Sequence, residues 1–165
     1  MKPSRIFLLA ALVAMAGPPA IAEQPRVALN VDVKEEISRT DAQGRIQVVH
    51  QPVERAEPGD VLVYTLTYTN VGGNPAVNAK VDDPIPSGTI LLPGSVSGDR
   101  ALITFSVDGG KNFFAFPAKV TEVGLDGRSV EKEAPADRYT HIRWSATDPL
   151  APGETRSAAF KVVVR

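Results

Sequence analysis

The chain has 165 residues, with 18 Lys and Arg against 19 Asp and Glu, a formal net charge of −1 and no cysteine. That balance is not a nucleic-acid binder's, whose affinity rests on clustered positive charge. The lack of thiols excludes disulfides, thiolate metal sites and cysteine catalysis, so the fold must stand on packing and hydrogen bonds alone.

Lys2 and Arg5 precede the apolar run IFLLAALVAMA, and PPAIAEQ comes next, with Ala20 and Ala22 flanking a small-residue cleavage pattern. This is the layout of a secretory signal peptide over residues 1–22. The apolar run, about eleven residues, is short of the roughly twenty a membrane-spanning helix needs. An uncleaved anchor is the competing reading, and no lipobox cysteine is present. Cleavage after Ala22 removes two basic groups and no acidic ones, taking the charge to −3. The remaining 23–165 is the size of one domain, expected in the periplasm or secreted, with no membrane span and no nucleic-acid partner.

Period-two alternation recurs through this part between Gly, Pro, Asn and Asp clusters, which predicts an all-β chain. In RVALNVDVKEEI, Val27, Leu29, Val31 and Val33 fall on one face, expected to be buried, and Ala28, Asn30, Asp32 and Lys34 on the other. RIQVVHQPVE is a second strand, which Pro52 pushes to an edge or a bend. Pro58 and Gly59 before Asp60 form a type II turn signal. After it Leu62, Tyr64, Leu66 and Tyr68 alternate against Val63, Thr65, Thr67 and Thr69, until Asn70, Gly72, Gly73, Asn74 and Pro75 end the strand. AVNAKVDD sets Val77, Ala79 and Val81 against Asn78, Lys80 and Asp82, and PIPSG ends it.

ALITFSVDGGKNFFAF predicts a hairpin about Asp108, Gly109 and Gly110. Residues 118–138, with LDGR as a turn and Pro135 as a breaker, form a long excursion or weak hairpin. THIRWSA places Ile142 and Trp144 on one face, and SAAFKVVV places Ala158, Phe160, Val162 and Val164 on another. About 7–9 short strands at this spacing suggest an antiparallel β-sandwich. In it the Leu62/Tyr64/Leu66 and Phe160/Val162/Val164 rows are expected to face one another. APGETRSAAFKVVVR repeats the punctuation of PGDVLVYTLTYTN. The stretch NVGGNPAVNAKVDDPIP, which continues the earlier copy, has no counterpart after Val164, so these are two strand entries of one domain.

PGDVLVYTLTYTNVGGNPAVNAKVDDPIPSGT, with IRWSATDPLAPGETRSAAFKVVV at a distance after it, resembles the domain of unknown function numbered eleven, the conserved repeat domain of bacterial surface proteins. The elements that carry the resemblance are Pro58, Gly59 and Asp60, Tyr64, Asn70 with Gly72, Asp83 with Ile85 and Pro86, Trp144, and the turn from Leu150 through Pro152 and Gly153 to Glu154. The resemblance implies an immunoglobulin-like sandwich in an exported bacterial envelope protein, with no catalytic residues to carry over. The chain departs from the pattern in holding a single copy and in an insertion at about 95–138 before the Trp144 strand.

Few residues invite chemistry. Asn70 and Asp83 are expected to cap loops through their side chains, and Asp60, Asp82 and Asp83 match no calcium-loop spacing. Ser106 to Phe113 fits the loose Asp-box pattern Ser-x-Asp-x-Gly-x-x-aromatic, a folded hairpin found in carbohydrate-related proteins. Phe113, Phe114 and Phe116 cannot all point inward, so they are candidate partner contacts, with packing beneath the 118–138 excursion as the alternative. Lys34, Lys80 and Lys161 alternate onto polar faces, which argues against an isopeptide cross-link. His50 and His141 are the only histidines, His141 opposite in phase to Trp144, and no nucleophile elbow is present. The sequence therefore points to a non-enzymatic, cofactor-free structural or adhesion-type domain of the envelope, meeting a protein partner through a sheet edge or the insertion. The alternative is a small carbohydrate-binding module built on the aromatic segment near Phe113.

Overall fold

The computed structural model describes residues 26–123 and 127–165; the expected signal peptide and the Leu125–Asp126 half of the LDGR turn lie outside the described residues. Among the described residues ten strands run in order: β1 (Val27–Thr40), β2 (Ile46–Pro52), β3 (Val61–Asn70), β4 (Lys80–Pro84), β5 (Thr89–Gly98), β6 (Ala101–Ser106), β7 (Lys119–Val123), β8 (Ser129–Glu133), β9 (His141–Ala146) and β10 (Thr155–Val164). The chain is all-β and every pairing is antiparallel. A five-stranded sheet, β2-β1-β3-β10-β5, faces a three-stranded sheet, β4-β9-β6, while β7 and β8 form a separate ribbon. Among the described residues no helix is long and apolar enough to cross a membrane.

The two best-patterned stretches of sequence, β3 and β10, are neighbours at the middle of the larger sheet. Tyr64 lies opposite Phe160, and Leu62 opposite Val162. The two apolar rows therefore do not face one another across the layers, as expected from the sequence; they lie side by side on one face, where Tyr64 and Phe160 stack with centroids 4.8 Å apart. The second layer is supplied instead by Val81, Phe105, Ile142 and Trp144, all buried. Trp144 joins the layers: its ring lies 6.1 Å from that of Phe160, and its indole N–H donates to the Ser97 carbonyl of β5 at 2.8 Å.

Four other expectations change. Val27, Leu29 and Val31 do share a face with the buried Leu66 and Tyr68, yet are exposed, because the three-stranded sheet is too narrow to cover β1. Val77 is 65% exposed: Asn78 takes a left-handed φ of 55°, breaking the alternation so that β4 begins only at Lys80. Residues 95–106 are body sheet, the end of β5 and all of β6, so the part that stands away is the β7–β8 ribbon. The hairpin expected about Asp108 keeps only a single bridge, Phe105 to Phe114, beyond its turn.

A side chain at Gly98 would meet Trp144, since a Cβ there falls 2.5 Å from the indole Cδ1, whereas one at Gly94 meets nothing within 4 Å. We expect Gly98→Ala to cost about 1–3 kcal/mol in urea unfolding and to alter Trp144 fluorescence, because a packed core resists added volume. Gly94→Ala should stay within about 0.5 kcal/mol of the parent.

Candidate interaction surface

The residues that carried the sequence pattern form the frame. Gly59 and Gly153 have φ of 101° and 76°, conformations open to glycine at little cost. In each turn the acid closes the loop on the residue three before it: Asp60 Oδ2 accepts from the Glu57 amide at 2.7 Å, and Glu154 Oε2 from the Ala151 amide at 2.8 Å. Pro58 and Pro152 preset the bends. Asn70 is fully buried; its Nδ2 donates to the Asn74 and Leu150 carbonyls at 2.8 Å, and its Oδ1 accepts from the Gly72 amide at 3.0 Å. That is the expected loop cap. The Pro86 carbonyl accepts from the Thr89 hydroxyl at 2.7 Å. Asp83, expected to cap a loop, instead lies within β4 opposite Ile142, where half-burial pushes its carboxyl above the usual range.

The candidate chemistry is dispersed. Asp82 and Asp83 are consecutive in β4 and point to opposite faces, and no group of three metal-binding side chains occurs among the described residues. Asp82 faces outward in a two-bond pair with Arg143 at 2.6 and 2.7 Å, which holds its carboxyl below the usual range. His50 meets Glu36 at 3.1 Å, and the same carboxylate also pairs with Lys161. His141 Nδ1 lies 3.2 Å from the Thr140 hydroxyl. That hydroxyl donates to the Ser106 carbonyl and accepts from the Gly109 amide, a turn-holding role.

The 106–113 segment is a turn closed on Asp108 and Ser106. Asp108 Oδ1 accepts from the Lys111 and Asn112 amides at 3.1 and 3.0 Å, and Asn112 Nδ2 donates to Oδ2 at 2.7 Å. The Ser106 hydroxyl donates to Asp108 Oδ1 at 2.8 Å and accepts from the Gly110 amide at 2.9 Å. These bonds hold the Asp108 carboxyl down at about 2, with those from Asn112 foremost. Beyond the turn the aromatics diverge. Phe113 is half-buried under the Arg143 guanidinium, 3.7 Å from its ring centroid, a cation–π contact. Phe114 and Phe116 are 48% and 54% exposed, so they do not pack beneath the excursion. Phe116 leans edge-on against Phe105 at 5.6 Å, beside the buried Tyr139.

A second surface lies at the N-terminal half of β1. β2 pairs with β1 only from Lys34 onward, so among the described residues Val27–Val33 has β3 on one side and no strand on the other. The Arg26 carbonyl accepts from Val71, beyond the end of β3. Backbone groups alternate in direction along a strand, so Ala28, Asn30 and Asp32 bond toward β3, while the amides and carbonyls of Val27, Leu29 and Val31 point to the open side. The side chains of these last three form an uncovered apolar row. Three other edges are blunted, β5 by Pro93 and a register shift against β10, β4 by its length of five residues with Lys80, Asp82 and Pro84, and β6 by the Phe114 bridge, while β2 carries a proline only at its last residue, Pro52. Such devices discourage strand addition; the open stretch of β1 has no proline or register shift and carries one charge within it, Asp32.

Two features escaped sequence reasoning. One is this open edge. The other is Arg156, buried in the apolar phase of β10, where its guanidinium donates to Glu154 at 2.9 Å and to the Asp148 and Pro149 carbonyls. Its signal was a charge at an even-numbered position in the Ala158/Phe160/Val162 row. Compared with known proteins, the chain matches no family model, no curated protein and no solved structure.

Asn70→Ala should cost about 2–3 kcal/mol in urea unfolding, because it orphans the Gly72 amide and the Asn74 and Leu150 carbonyls. For Asp108 the folded pKa lies below the unfolded value of about 3.9, so its bonds stabilise the turn fully above that value and are lost as pH falls toward 2. Amide exchange at Gly110 and Asn112 should therefore accelerate between about pH 4 and 2, beyond its intrinsic pH dependence, and Asp108→Ala should remove the step.

Proposed function

We propose that this chain is an exported, non-enzymatic, immunoglobulin-like module of a bacterial cell envelope, a relative of the conserved repeat domain, which binds a protein partner by strand addition at the β1 edge. One observation carries this reading: the open side of Val27–Val33 presents backbone groups that pair with no strand among the described residues, together with an exposed apolar row, Val27, Leu29 and Val31. Strand addition uses that pair of features, main-chain bonds for affinity and alternate side chains for specificity. The signal-peptide pattern and the residues shared with surface-protein repeats support the envelope setting.

A second reading is favoured by a different observation, the exposed Phe114 and Phe116 beside the Asp-box turn. Aromatic faces at a rigid turn suit the apolar faces of sugar rings, which makes a carbohydrate ligand the alternative at that surface.

Val31→Pro tests the first reading cleanly. Its amide points to the open side, so proline removes no ladder bond while blocking an incoming strand. We expect crosslinking to envelope proteins in intact cells to be lost, with the urea midpoint close to the parent's; capture that persists unchanged would remove the edge from the account. The glycan reading requires saturable binding that Phe114→Ala abolishes with the fold intact, and fails if no glycan binds. Export predicts that the mature protein begins at Glu23, as N-terminal sequencing would read.

A further inference from the structure

Resting on the strand-addition reading, we propose that the occupant of the β1 edge is a second copy of this chain, joined edge to edge about a two-fold axis with Leu29 opposite its own counterpart. The argument is one of fit between the open segment and itself. An antiparallel pair about a two-fold is self-complementary, and any register that keeps the apolar row on one face must add an even shift. Charge and length then select among those registers.

With Leu29 at the centre, Val27 lies opposite the second copy's Val31, and Ala28 opposite its Asn30. Arg26 falls opposite Asp32, once on each side of the axis. Moving the centre to Asn30 would put Arg26 opposite Lys34, a like-charge pair, and would also run the incoming strand into Pro52, which already occupies the place beside Lys34. Centred on Leu29, the pairing from residue 26 to residue 32 stays within the open stretch. Arg26 and Asp32 are both exposed, and the ion pair Asp32 makes is with Lys34 of its own strand, at 3.3 Å.

The backbone agrees with this arrangement. Val27, Leu29 and Val31 are the residues whose amides and carbonyls face outward, so in this register they form the bonded pairs. Ala28/Asn30 and Arg26/Asp32 become the non-bonded pairs, whose side chains approach more closely, which is where opposite charges contribute most. The exposed Val27, Leu29 and Val31 of one copy then line up with those of the other on the same face, and each row covers part of its partner.

The test is sedimentation and thiol crosslinking on the full mature chain. The wild type should show a concentration-dependent dimer. Arg26→Asp and Asp32→Arg should each weaken it about tenfold or more, since each makes two like-charge pairs. A mixture of the two variants should recover it, because Arg26→Asp and Asp32→Arg chains complement each other at both ends. The chain has no cysteine, so Leu29→Cys provides a single thiol: mild oxidation should couple it to itself, while the thiol of Val48→Cys, also exposed but on β2, should stay uncrosslinked. A wild type that remains monomeric at every concentration, or variants that leave the dimer unchanged, would overturn the inference. If Val31→Pro still abolished partner capture in that case, strand addition would stand with a different occupant.

Discussion

The molecule depends on the reciprocal clasp between β3 and β10. Each strand is entered through a Pro-Gly-acid turn, and each turn docks on the far end of the other strand. The Gly59 amide donates to the Val164 carbonyl and the Val164 amide to the Asp60 carbonyl. At the opposite end the Gly153 amide donates to the Asn70 carbonyl and the Asn70 amide to the Glu154 carbonyl. The same bonds are thus made twice, about a local two-fold between the strands. The two similar stretches of sequence are two halves of one central pair, and neither is closed without the other. With no disulfide available, this double closure brings together residues far apart in the chain and presents Leu66, Phe160 and Val162 as one continuous surface.

The reach of the layer over that surface decides where the protein is closed and where it is open. Trp144 and Ile142 of β9 cover the clasp, and the Ser97 carbonyl fixes the Trp144 indole. The covering sheet has three strands against five. The shortfall lands on β1 and β2, so the same apolar alternation that buries Leu66 leaves Leu29, in the adjoining strand, half exposed. The charged end beside Asp148 is closed by other means: Arg100 and Arg156 share the Asp148 and Glu154 carboxylates. A buried guanidinium is tolerated there because its donors find acceptors. At one end the structure satisfies its polar groups internally, and at the β1 edge it offers them outward.

The strand content, the turns at Gly59 and Gly153, and the inward phase of β3, β9 and β10 were legible because each is written in local chemistry: period-two alternation, or a residue that permits positive φ. The extent of each layer was not. Alternation tells which way Val27, Leu29 and Val31 point but not whether another sheet lies over them. Nor does it distinguish two apolar rows stacked across layers from two rows paired within one, which is why β3 and β10 were expected to face each other. Val77 was misread for a local reason, since Asn78 tolerates the left-handed conformation that ends the alternation. Asp83 kept the alternation and so entered a strand interior instead of a loop. The turn about Asp108 was readable as a turn, whereas its reduction to a single bridge and the exposure of Phe114 and Phe116 depended on packing beyond it.

Native-state amide exchange on dilute protein measures the central claim most directly, that a β3–β10 clasp organises the body and leaves β1 open on one side. The account predicts that amides of Leu62, Leu66, Phe160 and Val162 exchange last and together, and that β1 shows an alternation, with Ala28 and Asn30 protected and Val27, Leu29 and Val31 fast. Uniform protection along residues 27–33 at dilution, or β3 and β10 opening before the rest of the sheet, would contradict it.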